Sequence, residues 1–466
     1  MNNTKPISYK KAALYYMLGT LFNKGVSFLT IPIFTRLLST DDYGLVNTYN
    51  AWVSILTIVL SYALYMAIRS AFIDYKDEIN DFVSVSITFT LLSSLTIGIL
   101  SYIFTLFIHI ENATLLVMLC VFQSLFAGLI EDYSMYLQMK YKYRLRTLLM
   151  ILPNLLSIVV SIICIKNLKI ANLYLGRIIP TAIITITFGL FVTLLIYKKS
   201  HVLFNKQYIK YGLSISLPLV FHGVALSVLS TSDRMMITWL ADLSQTGIYS
   251  LIYNFGMAAT VITIGFQGIW DPWLLKKINN KEYSDVNQRA KQYCAIITTA
   301  LIAIIMIGPE VVHLLAKEEY WAGISIIPPI VIANYVIFLY TFYVNVEHYS
   351  KKTLHITIHT SVAAVSNLLL NFIFIPIFGY SAAAYTTVSS YVICLILHIH
   401  YSHKLIPDLF PFKMFIIPLC EITVLSVAYY IFIDNPVIRW VLALVFTIIV
   451  IYRNRSLVKQ LILSHK

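Results

Sequence analysis

Arg36-Leu37-Leu38-Ser39-Thr40-Asp41-Asp42-Tyr43-Gly44, followed at once by Leu45-Val46-Asn47-Thr48-Tyr49, is a short polar turn set between two long apolar stretches. At an offset of 203 residues the chain makes the same move: Asp233-Arg234, an apolar step, then Ala241-Asp242-Leu243-Ser244-Gln245-Thr246-Gly247-Ile248-Tyr249, with Gly247 standing where Gly44 stood. A second pair supports the repeat. Asn154-Leu155-Leu156-Ser157-Ile158-Val159 has a counterpart, 213 residues on, in Asn367-Leu368-Leu369-Leu370-Asn371-Phe372. Repeats separated by an even number of spans keep one membrane orientation, so they predict two bundles related by an axis along the membrane normal, with a cavity between them.

Working outward from the repeat, apolar stretches of spanning length fall at about 12–36, 45–68, 82–108, 113–139, 147–165, 171–197, 212–239 and 245–274. Six more fall at about 292–315, 322–346, 354–376, 380–400, 413–433 and 437–452. Hydrophobic residues make up 59% of the 466 and charged residues only 12%, roughly half the share of a soluble domain. An ordinary water-soluble enzyme is excluded. Stretches apolar on every face are helices, because a lipid-exposed backbone must satisfy its own hydrogen bonds. The expected fold is therefore all-α and polytopic, with about fourteen transmembrane helices in two six-helix lobes, 1–200 and 201–405, and an added helix pair with a tail over 406–466. Helix one carries no small-residue cleavage site and is expected to stay in the mature protein.

The net charge of +13 is a statement about topology rather than nucleic acid. With the N-terminus inside, 26 of the 34 Lys and Arg fall in cytoplasmic segments and five in outer loops and helix ends. That asymmetry places both termini in the cytoplasm. The densest clusters are Lys140, Lys142, Arg144 and Arg146; Lys198, Lys199, Lys206 and Lys210; and Lys276, Lys277, Lys281, Arg289 and Lys291. The five cysteines (Cys120, Cys164, Cys294, Cys394, Cys420) lie in apolar segments without a C-x-x-C spacing, and read as packing residues rather than a disulfide or zinc framework.

At this point the sequence resembles a known family, the polysaccharide (Wzx-type) flippases of the multidrug/oligosaccharidyl-lipid/polysaccharide exporter superfamily. Pro32-Ile33-Phe34-Thr35-Arg36-Leu37-Leu38 with Asp42-Tyr43-Gly44 is similar to the family's proline, threonine, arginine, leucine run and its acid, tyrosine, glycine turn. Asn367-Leu368-Leu369-Leu370-Asn371, running through Ile375-Pro376-Ile377-Phe378-Gly379-Tyr380-Ser381-Ala382-Ala383-Ala384, is similar to its asparagine-rich helix and re-entry turn. Tyr349-Ser350-Lys351-Lys352-Thr353 also fits. The resemblance covers roughly residues 9 to 405. It implies two six-helix lobes, a bacterial cytoplasmic membrane, and export of undecaprenyl-diphosphate-linked oligosaccharide from inner to outer leaflet. Many relatives are read with twelve helices, while lipid II flippases have fourteen, so a peptidoglycan precursor stays open as substrate.

Three basic residues lie inside the expected spans: Lys24, Arg177 and Arg234. A charge near the bilayer centre costs at least about 2.5 kcal/mol, so each needs a carboxylate partner, a route to the interface, or an anionic substrate. Arg36, at the outer end of helix one, suits a diphosphate through paired guanidinium bonds, or serves as an anchor beside Asp41 and Asp42. Lys24, Arg36, Arg177 and Arg234 are the candidate diphosphate-binding residues. Glu131, Asp233 and Glu310 are the candidates for coupling to H+ or Na+, with structural ion pairing as the competing reading. His355 and His359 have the i, i+4 spacing that can hold a metal, but the sequence offers no evident third ligand, so no metal and no cofactor is expected.

No phosphate-binding loop, H-E-x-x-H or G-x-S-x-G elbow occurs, so transport powered by the chain's own ATP hydrolysis is not expected; the resemblance implies a flippase working by alternating access rather than an enzyme. The competing class is a membrane glycosyltransferase or polymerase on the same lipid carrier, which would call for a large outer loop. Expected partners are the lipid-linked oligosaccharide, membrane lipids, a coupling cation, and polysaccharide polymerase or assembly proteins; nucleic acid is not among them.

Overall fold

A computed structural model of the chain describes the backbone of residues 9–107, 111–167 and 172–454; within these, the side chains of 9–14, 16–18, 20, 21, 24, 264–269 and 272 are not described. Among the described residues there is no strand. The helices are α1 (Tyr9–Leu37), α2 (Thr40–Leu60), α3 (Leu64–Asp74), α4 (Ile79–Thr105), α5 (Ala113–Met139), α6 (Tyr143–Asn167), α7 (Leu175–Tyr197) and α8 (Lys206–Leu240). They continue with α9 (Leu243–Asn279), α10 (Tyr283–Leu315), α11 (Ile327–Tyr349), α12 (Thr353–Phe378), α13 (Tyr380–Leu405), α14 (Lys413–Ile431) and α15 (Pro436–Arg453). Twelve spans among the described residues are long and apolar enough to cross a membrane. The two other expected spans, 12–36 and 245–274, coincide with α1 and α9, which include the undescribed side chains.

One expected span is broken. The stretch 45–68 reads as one helix, but Tyr62 and Ala63 take left-handed φ values of 52° and 48° and split it into α2 and α3. Close packing explains the site of the break: a Cβ on Gly128 of α5 would meet the Ser61 Cβ at 2.6 Å, so α2 ends against the α5 backbone. The start of α11 also differs from a plain helix, being preceded by a 3₁₀ segment over Glu318–Ile326.

The chain divides into two compact units, Met1–Met235 and Met236–Lys466. The expected lobe boundary at 200/201 follows the repeat, whereas the compact boundary falls inside α8. In the first unit α5 is the hub and packs on α2, α3, α4, α6 and α7. Leu60, Leu64, Phe82, Leu125, Phe126 and Ile196 fill its core, with Tyr208 of α8 against Phe82 and Tyr75. In the second unit α13 packs on α11 and α12, α9 packs on α10 and α11, and the C-terminal α14 and α15 pack on α10.

The repeat seen in sequence is a repeat of capping chemistry. Ser39 caps α2, its hydroxyl accepting from the Asp42 amide while the Asp42 carboxylate reaches back to the Ser39 backbone. Asp242 caps α9 in the same way, accepting from the Gln245 amide at 2.7 Å. The third residue of each helix then reaches a neighbour: Asp42 Oδ1 accepts from the Tyr174 amide at the start of α7 (3.2 Å), and Gln245 Oε1 accepts from the Tyr380 amide at the start of α13 (3.0 Å). Gly379, with φ +62°, makes the second of these turns, and a Cβ there would meet Gln245 Oε1 at 2.3 Å.

Candidate functional site

At the end of the first unit that carries these caps, Arg177 of α7 is held by its own protein. Its guanidinium lies 4.2 Å over the Phe34 ring of α1 and donates to Ser161 Oγ (3.2 Å) and the Ser157 carbonyl (3.4 Å) of α6. Arg36, two residues beyond Phe34 in α1, is exposed. The structure thus brings the Arg36 region and Arg177 to one end of the unit, with Arg177 already engaged.

Toward the opposite end of the same unit lies a cavity of about 540 Å³. Its walls are α3, α5, α6 and α7, which contribute Tyr65, Glu131, Ser134, Gln138, Arg146 and Thr185 among apolar neighbours. Tyr65 lies in the first turn of α3, just past the α2–α3 break, and Pro153 of α6 also lines the cavity. The Asn23 side chain of α1 donates to the Met150 carbonyl (2.8 Å) behind the α6 wall. Lys24 follows Asn23 in α1, but its side chain lies outside the described residues.

Glu131 lines the cavity; the adjacent Asp132 does not. Asp132 is fully buried, and neither of its oxygens makes a hydrogen bond of normal geometry among the described residues. With only the Tyr65 backbone amide to favour its charge, such a buried carboxylate is costly unless a proton or cation joins it. Asp132 therefore marks this end of α5 as a place where a positive charge is stabilised.

The remaining candidates are scattered. Asp233 and Arg234 are both buried in α8, and both interact with neighbouring groups. Glu310 of α10 is in an ion pair with Arg439 of α15, whose guanidinium also donates to the Met306 carbonyl and, through Nε, to the Phe432 carbonyl (3.1 Å). Trp440 Nε1 donates to the same carboxylate at 3.3 Å. That arrangement ties the C-terminal pair to α10.

Past the end of α5, a basic cluster is built on aromatic rings. Lys199 lies 4.9 Å from the Tyr136 ring centroid and donates to Tyr133 Oη (3.3 Å), while Lys140 lies 4.6 Å from the same centroid and donates to Asn80 Oδ1 (3.0 Å). Burial, then the Lys142 and Lys140 charges, push the Lys199 ammonium down to about 8. Burial also lowers Lys140.

Sequence reasoning missed one assembly. His355 stacks on Tyr401 at 3.9 Å between centroids, and the partners of His359 are instead Glu347 of α11 and His398 of α13. The expectation of no third ligand is thereby corrected: Glu347 and His398 are 12 and 39 residues away from His359 along the chain, and only the packing of α11, α12 and α13 brings them together.

The fold is that of solved transporters of the MOP superfamily. The chain is similar to the lipid II flippase MurJ in its inward closed conformation, with 16% identity and a TM-score of 0.71 over 96% of this chain and all of that one. It is also similar to a multidrug resistance MATE family transporter in its inward-facing conformation (14% identity, TM-score 0.60, 81% of this chain and 97% of that one). The outward-facing conformation matches at 16% identity, TM-score 0.54, 86% and 98%. A comparison with curated proteins finds no match. A family profile described as polysaccharide biosynthesis protein matches residues 9–277, more than half of the chain, and the chain belongs to that family.

Proposed function

We propose that this protein is a flippase that carries undecaprenyl-diphosphate-linked oligosaccharide repeat units from the inner to the outer leaflet of a bacterial cytoplasmic membrane, moving its substrate rather than modifying it. The observation that carries this reading is membership of a polysaccharide biosynthesis family on a flippase-type transporter fold. Transport proceeds by alternating access, and the cations Lys24, Arg36, Arg177 and Arg234 supply the positive potential that an anionic diphosphate headgroup needs on its way across. A drug exporter for organic cations has no use for such a set.

A cation gradient drives the cycle, with Glu131 as the leading coupling residue. It lines the cavity of about 540 Å³ and is adjacent in α5 to a second, fully buried carboxylate, Asp132. Asp233 and Glu310 follow, the latter already paired with Arg439. Lipid II is the second substrate reading, favoured by the extent of the structural match to a lipid II flippase.

The test is leaflet-resolved translocation in liposomes, offering undecaprenyl-diphosphate oligosaccharides and lipid II in parallel. Wild type is compared with Lys24→Ala, Lys24→Arg and Glu131→Gln at equal insertion. The expected result is crossing of the oligosaccharide carrier, loss with Lys24→Ala, and at least partial retention with Lys24→Arg. Crossing of lipid II alone selects the second reading, and crossing of neither under an imposed gradient overturns both.

A further inference from the structure

Three helix segments of the second unit meet in a buried cluster of nitrogen and oxygen ligands. Glu347 lies in the last turn of α11, His359 in the second turn of α12, and His398 about two turns before the end of α13. Glu347 and His398 are fully buried and His359 nearly so. His398 Nδ1 is 2.8 Å from Glu347 Oε1 and 3.3 Å from His359 Nδ1, and His359 Nδ1 is 3.8 Å from the same Glu347 oxygen.

Protons alone serve this arrangement poorly. A hydrogen on His398 Nδ1 faces both the carboxylate and the His359 nitrogen, and one hydrogen cannot make two good bonds. Moving it to His359 leaves the His398 nitrogen and the Glu347 oxygen facing each other, lone pair to lone pair, at 2.8 Å. A second observation points the same way: Glu347 Oε2, in a fully buried side chain, has no hydrogen-bond partner among the described residues. Three ligand atoms this close to one another are instead satisfied together by a single cation.

The distances fit a particular class of cation. Ligands about 2.05 Å from a tetrahedral zinc ion stand roughly 3.3 Å from one another, and the three separations here bracket that value. Two imidazoles and one carboxylate suit zinc and its first-row neighbours and do not suit calcium or magnesium, which take oxygen ligands. The imidazoles are also fixed by their surroundings: Tyr340 stacks on the His398 ring (5.6 Å, 19°) and Tyr401 meets His359 edge-on (5.8 Å, 73°).

We propose that Glu347, His359 and His398 form a site for a late first-row divalent metal, zinc foremost, with one coordination position left for water. The metal clamps α11, α12 and α13 together at the ends that the charge asymmetry assigns to the cytoplasm. The site is independent of the translocation reading, since its ligands include none of the diphosphate or coupling candidates.

The test uses full-length protein purified on a tag without histidine, stripped with chelator and titrated with Zn2+ against a chromogenic chelator. Wild type should take up one zinc per chain, and its thermal midpoint should rise with zinc and not with Mg2+. Glu347→Gln and His359→Ala should weaken zinc binding at least 100-fold, and His355→Ala should leave it unchanged. Co2+ loaded into wild type gives a readout that needs no variant to fold: intense visible d–d bands of a four-coordinate site. Failure of wild type to bind zinc, weak octahedral cobalt bands, or undiminished uptake by folded His359→Ala each overturns the proposal.

Discussion

Two regions hold acids within membrane-spanning helices and treat them in opposite ways. In the second unit, Glu310 meets a guanidinium and an indole N–H, and its partner Arg439 spends its other donors on two backbone carbonyls. In the first unit, Glu131 opens onto a cavity and Asp132 is fully buried with only the Tyr65 backbone amide to favour its charge. A closed pair binds nothing further and holds two helices together. An acid left open in the interior lowers stability and persists where a proton or cation visits it. The comparison separates a tie from a candidate working site without reference to position in the sequence.

The largest expected effect breaks the closed side. Arg439→Ala removes the cation that pairs with Glu310 and a donor to the Met306 and Phe432 carbonyls, leaving the Trp440 indole N–H on the carboxylate, and truncating one member of a buried pair costs about 3–5 kcal/mol. Because Glu310 is partly exposed, the expected loss is about 3 kcal/mol, read as a fall in thermal midpoint of the detergent-solubilised protein. Replacing both members, Glu310→Leu with Arg439→Met, should recover most of it and retain translocation. A double variant that folds and does not translocate moves Glu310 from the tie to the coupling machinery.

On the open side the signs differ between neighbours. Glu131→Gln should cut gradient-driven translocation at least tenfold, about 1.4 kcal/mol at the rate-limiting step, with little change in thermal midpoint. Asp132→Asn should leave the midpoint equal or higher, because a buried neutral amide costs less than a buried unpaired carboxylate. If instead Asp132→Asn unfolds the protein, Asp132 has a partner that holds the fold, and the contrast with Glu310 disappears.

The parts legible in sequence were those with a short-range or compositional cause. Apolar length gave the helices, and the paired caps at Ser39 and Asp242 gave the repeat, because a cap is written within four residues. The split at Tyr62 and Ala63 was hidden because its cause, the approach of Ser61 to Gly128, lies 67 residues away in chain. The pairing of Glu310 with Arg439 and the meeting of Glu347, His359 and His398 are likewise products of helix packing, and no spacing along one helix announces them. Arg177 was visible as a charge out of place, yet the aromatic face and the serine oxygens that hold it belong to α1 and α6.

The smallest expected effect concerns Lys199, where charges of one sign crowd together rather than pair. Its ammonium is lowered from the ordinary 10.5 to about 8 by burial first and by Lys142 and Lys140 next. At pH 8 about half of the folded molecules therefore carry a neutral amine there, while the unfolded chain keeps its proton up to the ordinary lysine range. Between those two values the unfolded state binds the extra proton, so this residue makes stability rise with pH in that window; below about 8 the folded chain bears the full cost of the crowded charge. Amine acylation at pH 8 followed by peptide mass spectrometry should show Lys199 reacting several-fold faster than a free lysine of equal exposure. Lys142→Gln removes one of the neighbouring charges and should slow that reaction without touching the stacked Tyr133 and Tyr136. Unchanged reactivity in both Lys142→Gln and Lys140→Gln would assign the whole shift to burial, and the cluster would then be three separately solvated lysines rather than one shared positive field of the kind an incoming diphosphate meets first.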